Sequence, residues 1–133
     1  FWRVRGKDRY DRYTHIFMAG ITSYLFAKIL AQIWQPSGLR PFELLGMQAG
    51  ASYLDNPGFP SDHALFAAFL TLAVWYATRN KWTTGVMALL TLALCVGRVL
   101  ALVHTPLDIA GGIGVALLGG LWYLAYGKKP ASR

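Results

Sequence analysis

The feature that most constrains this chain is a succession of long stretches that carry almost no charge. They lie at about residues 13–34, 61–78, 82–103 and 106–126, in a chain of 133 residues that is 55% hydrophobic and 14% charged. A helix rises about 1.5 Å per residue, so roughly 20 apolar residues cross a hydrocarbon layer of ~30 Å. We therefore predict an all-α, polytopic transmembrane helix bundle with four spans, forming one membrane-embedded domain.

The segments outside the spans have their own signatures. Residues 1–12 combine five basic residues with aromatic ones, which predicts an interfacial segment. Residues 35–60 are rich in proline and glycine and predict a long loop, a kind of segment that is often functional. The Ser61 hydroxyl is placed to cap the second span, and the glycines between 111 and 120 predict close helix packing. The chain opens at Phe1 without a signal-peptide pattern, and we expect a further N-terminal part to precede it.

The basic residues are distributed as in a membrane protein. The formal net charge is +7 and the pI is about 9.9, values that would also suit a nucleic-acid-binding protein. However, 10 of the 13 Lys and Arg residues lie in the N-terminal segment, the 79–81 turn and the tail, which contains Lys128, Lys129 and Arg133. The positive-inside rule places these regions in the cytoplasm and the 35–60 loop outside. We therefore expect membrane lipids, and not nucleic acid, as partners.

Three polar clusters interrupt the apolar pattern, and the predicted topology places all of them on one membrane face. They are Arg40-Pro41, Pro60-Ser61-Asp62-His63, and the run from Arg98 through His104 to Asp108. Ionisable residues near a bilayer are costly, which makes them functional candidates. Arginine forks and helix N-termini bind phosphate oxygens, while histidines supply a nucleophile and an acid. Asp108 follows His104 by four residues, where its carboxylate can fix the imidazole tautomer.

Simpler interpretations exist for single members of these clusters. Arg40 and Arg98 also fit snorkelling anchors at helix ends, and Asp62 or Asp108 fits an acid favoured by a helix N-terminus. The single cysteine, Cys95, excludes an internal disulfide and a cysteine-rich zinc cluster. The arginines lie on the same predicted membrane face as two histidines, and this combination favours chemistry on a phosphate group.

At these residues the sequence resembles the type 2 phosphatidic acid phosphatase superfamily of membrane lipid phosphatases. The resemblance covers roughly residues 20–126 and rests on three motifs in the family order. Here they read Arg40-Pro41, then Pro60-Ser61-Asp62-His63, then Gly97-Arg98 followed by His104 and Asp108. Family members generally have six spans, and the four counted here correspond to the last four.

The resemblance implies a role for each matching residue. His104 would attack phosphorus to give a phosphohistidine, Asp108 would orient it, and His63 would protonate the departing oxygen. The phosphoryl oxygens would be held by Arg40, Arg98 and Ser61. The family chemistry needs no metal or other cofactor, and no metal-ligand spacing is visible in the sequence.

The motifs depart from the family pattern in three places. The family lysine stands seven residues before the arginine, where this chain has Ile33, so Lys28 is the nearest candidate phosphate ligand. Asp62 replaces a glycine, where it would tune His63 or contact a diphosphate, and Gly97 replaces a serine. The Pro-Ser-Asp-His form and the His-x-Pro-x-Asp-Ile form look like the bacterial undecaprenyl diphosphate phosphatase branch.

The resemblance therefore implies a bacterial plasma-membrane enzyme of cell-wall biogenesis that hydrolyses a polyprenyl diphosphate to the monophosphate. Phosphatidic acid or phosphatidylglycerophosphate is the alternative substrate, and phosphotransfer to another lipid is the alternative reaction. A structural membrane protein that merely retains a phosphate-shaped pocket is the non-enzyme alternative. The missing lysine supports that alternative, whereas a nucleophilic histidine with its orienting carboxylate argues against it.

Overall fold

The regular secondary structure of the described residues consists of helices alone. The computed structural model describes residues 6–36, 38–54, 56 and 58–125. Its helices are α1 (Gly6–Ile33), α2 (Pro41–Leu44), α3 (Asp62–Thr78), α4 (Lys81–Leu100), α5 (Pro106–Gly119) and α6 (Trp122–Ala125). Residues 1–5 of the predicted interfacial segment, and the tail with Lys128, Lys129 and Arg133, lie outside the described residues.

Three helical stretches in the described residues are long and apolar enough to cross a membrane. They are Arg9–Ile33, Lys81–Leu100 and Pro106–Leu124. Each coincides with a predicted span. The remaining predicted span is a helix too, but α3 has only 17 residues, which corresponds to about 25 Å. A fourth crossing by α3 therefore stays a prediction.

The helix ends differ from the predicted bounds at three places. Helix α1 begins before the predicted span, and the Arg12 guanidinium donates to the Ala77 carbonyl at 3.2 Å, which ties this early part to the end of α3. Helix α4 ends at Leu100 instead of continuing to 103, because Leu102 adopts a left-handed backbone conformation with φ of 58°. The last predicted span is interrupted after Gly119, and its end at 126 lies outside the described residues.

The predicted cap of α3 is confirmed. The Ser61 side chain accepts from the Ala64 N–H, and Asn80 caps α4 in the same manner by accepting from Trp82 and Thr83. Helix α5 starts at Pro106, with Thr105 as its cap. Such caps satisfy backbone N–H groups that have no partner inside the helix.

Helix α3 lies at the centre of the bundle, between α4 and α5, and α1 packs against both α3 and α5. The contacts are made by small side chains, including fully or nearly fully buried Ala19, Ala27 and Ala64. Large apolar side chains instead point outward along α1 and α4. This inside-out arrangement is typical of helices that pack in lipid, where small residues let the backbones approach closely.

The predicted role of the glycines in helix packing is confirmed at two positions. A Cβ atom at Gly112 would collide with the Ser61 carbonyl oxygen, and one at Gly119 would collide with the Ala19 carbonyl oxygen and the Ser23 hydroxyl. Helix α5 therefore approaches the backbone of α3 at Gly112 and that of α1 at Gly119. By contrast, a Cβ at Gly114 would meet nothing within 4 Å.

Replacing Gly112 by alanine is expected to destabilise the protein by about 1–3 kcal/mol, because the collision is with backbone atoms that cannot rotate away. Gly114→Ala is the matched control on the same helix, and it is expected to leave stability unchanged or to raise it slightly. Thermal unfolding in detergent measures both. Equal unfolding temperatures for the two variants would contradict the close contact between α5 and α3.

Two loops assemble at one end of the bundle. The Phe42 N–H donates to the Leu102 carbonyl and the Gly50 N–H to the Ala101 carbonyl, each at 3.0 Å. The Gln35 amide donates to the Phe59 carbonyl at 2.8 Å. These bonds fasten the 34–60 segment over the 101–105 connection, and the predicted functional residues lie at this end.

Candidate active site

The structure brings five of the predicted site residues to one narrow cleft. Its lining includes Arg40, Asp62, His63, Arg98 and His104, together with Leu54, Asn56, Gly58 and Pro60. They come from the start of α2, the start of α3, the end of α4 and the connection before α5. Antiparallel helices place these ends together. The free volume is only about 10 Å³, roughly the room of one water molecule, so a phosphate group needs the cleft to widen.

Arg98 is the cation with free hydrogen-bonding capacity in the cleft. Its side chain is 8% exposed, and its Nη1 donates to the Ser52 carbonyl at 2.7 Å. Its Nε and Nη2 are buried and donate to no group among the described residues. Buried donors are nearly always paired in proteins, so two unpaired donors on one guanidinium indicate a site for an external acceptor. The Nε and Nη2 edge is also the planar fork that binds phosphate oxygens in bidentate fashion.

Arg40 is held more completely by the protein itself. Its Nη1 donates to the Val103 carbonyl at 2.7 Å. Its Nη2 lies 2.9 Å from the Leu54 carbonyl oxygen and 3.0 Å from that of Asn56, with the Asn56 side-chain oxygen at 3.1 Å. The loop thus surrounds one end of this guanidinium with oxygen atoms. Phosphate oxygens could take the positions of the Leu54 and Asn56 oxygens once the cleft widens.

His104 and Asp108 form the expected pair. His104 is 4% exposed and Asp108 is 3% exposed, and the imidazole Nδ1 lies 3.6 Å from Asp108 Oδ2. This separation is slightly longer than a hydrogen bond, as catalytic contacts often are before substrate binds. The same Oδ2 accepts from the Thr105 N–H at 2.7 Å, which fixes the carboxylate. With Nδ1 facing Asp108, the other ring nitrogen, Nε2, is available for chemistry.

His63 and Ser61 occupy different positions at the start of α3. The His63 ring faces that of His104, with a centroid separation of 6.4 Å, and it is partly exposed. Ser61 is fully buried behind the cleft, and its hydroxyl lies 3.4 Å from the Ala64 N–H that it caps. Its own N–H donates to the Asp108 carbonyl at 2.9 Å. Ser61 therefore links α3 to α5, and its role as a phosphate ligand stays a prediction.

Lys28 reaches the edge of the cleft through Asp62. Its ammonium lies 3.2 Å and 3.3 Å from the two Asp62 oxygens, and both side chains are partly exposed. Asp62 lines the cleft, whereas Lys28 lines an adjoining cavity of about 190 Å³. Lys28 therefore lies next to the cleft and is paired with Asp62, and its role as a phosphate ligand stays a prediction. Its pairing neutralises a carboxylate that would otherwise face a bound anion.

Replacing Lys28 by methionine is expected to raise KM for a phosphate ester about tenfold, because Asp62 then faces the anion unpaired. The double variant Lys28→Met with Asp62→Gly is expected to recover most of the loss. Steady-state kinetics on the two single variants and the double variant measure the coupling. A double variant as impaired as Lys28→Met alone would show that Lys28 contacts the phosphate directly.

Sequence reasoning missed four contributors to this site. Ser52, Leu54 and Asn56 act through carbonyl oxygens, for which the side-chain sequence carries no signal. Thr105 was detectable, because Thr105 and Asp108 have the spacing of a capping box, in which each side chain accepts from the backbone of the other. Among the described residues, no group of three or more His, Cys, Asp or Glu side chains is arranged to hold a metal ion.

A family comparison agrees with this geometry. The family model described as PAP2 superfamily matches residues 12–130. The chain belongs to the PAP2 superfamily. This is a family of phosphoric ester hydrolases, and the chain is an enzyme of that class. Comparison with curated proteins and with solved structures found no match.

The PAP2 match includes every residue of the candidate site. It runs from Arg12 near the start of α1 past the end of α6. Lys28, Arg40 and the cluster at the start of α3 lie within it, as do Arg98, His104 and Asp108. Membership of the family supports hydrolysis of a phosphate ester. The roles of the individual site residues stay predictions.

Proposed function

We propose that this PAP2 protein is a membrane lipid phosphatase that hydrolyses a polyprenyl diphosphate to the monophosphate through a phosphohistidine. The observation that carries the proposal is the buried Arg98 fork, with two unpaired donors, in the same cleft as His104 and His63. The free donors of Arg98 can hold a phosphoryl group, while His104 attacks it and His63 protonates the leaving group.

The chemistry proceeds in two steps. His104 Nε2 attacks the terminal phosphorus, the bond from phosphorus to the bridging oxygen breaks, and His63 donates a proton to the departing oxygen. Water then attacks the phosphohistidine, His63 takes a proton from that water, and inorganic phosphate leaves with His104 restored. Asp108 holds the imidazole and stabilises its positive charge. Arg98 and Arg40 stabilise the charge on the transferring oxygens, which is usually the largest catalytic contribution.

The choice of substrate rests on two observations. Pro60-Ser61-Asp62-His63 has the form of the polyprenyl diphosphate branch. In addition, Lys28 neutralises Asp62 at the edge of the cleft, so that this carboxylate does not repel a second phosphate. Phosphatidic acid and phosphatidylglycerophosphate carry only one terminal phosphate, and they are the alternative substrates.

Phosphate release by purified protein in detergent with EDTA tests the proposal. We expect release from undecaprenyl diphosphate to be faster than release from phosphatidic acid. Faster release from phosphatidic acid would show that the alternative substrate is the preferred one. Formation of a phosphorylated lipid from an added lipid alcohol would indicate phosphotransfer, and no release from any of these lipids would contradict the proposed lipid phosphatase activity.

For orientation, we propose four crossings in a bacterial plasma membrane, with α3 as the fourth, both chain ends cytoplasmic and the cleft outside. The charge distribution supports this. In a Cys95→Ala background, Gln48→Cys should react with an impermeant thiol reagent in intact cells, and Lys81→Cys only after permeabilisation. The reverse pattern would invert the topology.

A further inference from the structure

A wide apolar groove leads away from the cleft between α3 and α4. Its volume is about 520 Å³. Its walls are formed by Phe66, Ala67 and Leu70 of α3 and by Met87, Leu90 and Leu94 of α4. The small Ala67 side chain makes the trough between the two larger walls. The only hydroxyl in this lining, that of Thr91, lies 3.2 Å from the Ala67 carbonyl oxygen and 2.9 Å from the Thr71 hydroxyl. The groove therefore offers a ligand apolar contacts.

The groove adjoins the cleft. Leu54, Asp62 and His63 line both of them. A ligand whose phosphate lies between Arg98 and His104 therefore has its remaining part next to His63 at the mouth of the groove. In the proposed reaction His63 protonates the departing oxygen, which is the atom that joins the phosphate to the rest of the substrate.

We infer that this groove binds the first part of the substrate's apolar chain, an inference that rests on the proposed lipid phosphatase function. From Leu94 to Met87 on α4, and from His63 to Leu70 on α3, the groove follows seven residues of helix, or about 10 Å. This is about one third of a ~30 Å hydrocarbon layer. The groove thus binds the part of the substrate's apolar chain nearest the phosphate, and the remainder of that chain lies in lipid.

A larger groove on α1 is a poorer candidate. It has a volume of about 810 Å³ and runs along Tyr13, Phe17 and Gly20 to Phe69 of α3. It shares no lining residue with the phosphate cleft. We select the groove between α3 and α4 because it shares His63 and two further lining residues with the cleft, even though its volume is smaller.

Two tryptophan variants test the inference. Leu90 is 58% exposed and lines the groove, whereas Leu92 is 61% exposed on the same helix and does not line it. Leu90→Trp is expected to lower kcat/KM for dodecyl phosphate about tenfold, because the indole fills the trough. It should leave hydrolysis of ethyl phosphate unchanged, and Leu92→Trp should change neither rate. Equal effects of the two variants on dodecyl phosphate would overturn the inference.

A binding measurement separates this inference from the proposed function. A dodecyl phosphonate with a photoreactive diazirine midway along its chain is not hydrolysed, so its position does not depend on activity. We expect adducts on the Met87–Leu94 peptide in protein reconstituted into lipid, with loss of these adducts in Leu90→Trp. Adducts on the α1 face, or adducts without positional preference, would overturn the groove assignment. Wild-type protein that releases no phosphate but gives the expected adducts would instead contradict only the proposed hydrolysis.

Discussion

Replacing His104 by alanine is expected to reduce phosphate release on the order of 10⁴-fold or more, which is the scale seen when a covalent nucleophile is removed. The imidazole is 4% exposed, and its Nδ1 lies 3.6 Å from the Asp108 carboxylate. The His63 ring lies beside that of His104, with a centroid separation of 6.4 Å. The alanine variant therefore loses the nitrogen that would carry the phosphoryl group.

The measurement pairs turnover with trapping of the intermediate. Wild-type protein mixed with ³²P-labelled substrate and quenched in alkali should retain label that is lost on acid treatment, as a phosphoramidate is acid-labile, and His104→Ala should retain none. His15→Ala is the control, because His15 lies on α1 outside the cleft. Label that persists on folded His104→Ala protein would assign the nucleophile to another residue.

Replacing Arg98 by lysine is expected to lower kcat/KM about 10²–10³-fold, even though the positive charge is kept. The Arg98 Nη1 is committed to the Ser52 carbonyl, while Nε and Nη2 are buried without a partner among the described residues. A lysine ammonium is a single point of charge and cannot reproduce that planar pair of donors. A decrease in kcat/KM would therefore arise from loss of the planar pair of donors, since the charge is kept.

Stability measurements distinguish this role from a structural one. Arg79→Lys is the control, since Arg79 stacks over Trp75 and Tyr76 at the other end of α3. We expect both variants to unfold at similar temperatures and only Arg98→Lys to lose activity. An Arg98→Lys variant that is active but unfolds at lower temperature would mean that Arg98 serves mainly to hold Ser52.

Helix positions could be predicted because their signals are local. Uncharged runs separated by breakers located α1, α3, α4 and α5, and the hydroxyl of Ser61 marked the start of α3. The helix ends that differ from the predicted span bounds have two origins: α4 ends before the left-handed Leu102, and the early part of α1 is held by a distant contact. The bond from Arg12 to the Ala77 carbonyl joins residues 65 positions apart, and no local pattern encodes it.

The candidate site was predictable as a set of residues and not as a geometry. The motif order identified Arg40, His63, Arg98 and His104, and the structure brings all four to one cleft. Their different tasks were not visible in the sequence. Arg40 and Arg98 are the same residue type, yet loop carbonyls engage both amino groups of the first and leave two donors of the second unpaired.

The sequence by itself determined that this chain forms apolar helices with a phosphate-type motif set at one end, because hydrophobicity, caps and motif spacing are properties of neighbouring residues. Only the tertiary structure decided that Lys28 neutralises Asp62 and that Ser61 is buried against α5. It also decided that the cleft and a groove between α3 and α4 share lining residues. These outcomes depend on how closely the helices approach, and that distance is set by the small residues of one helix against the backbone of another.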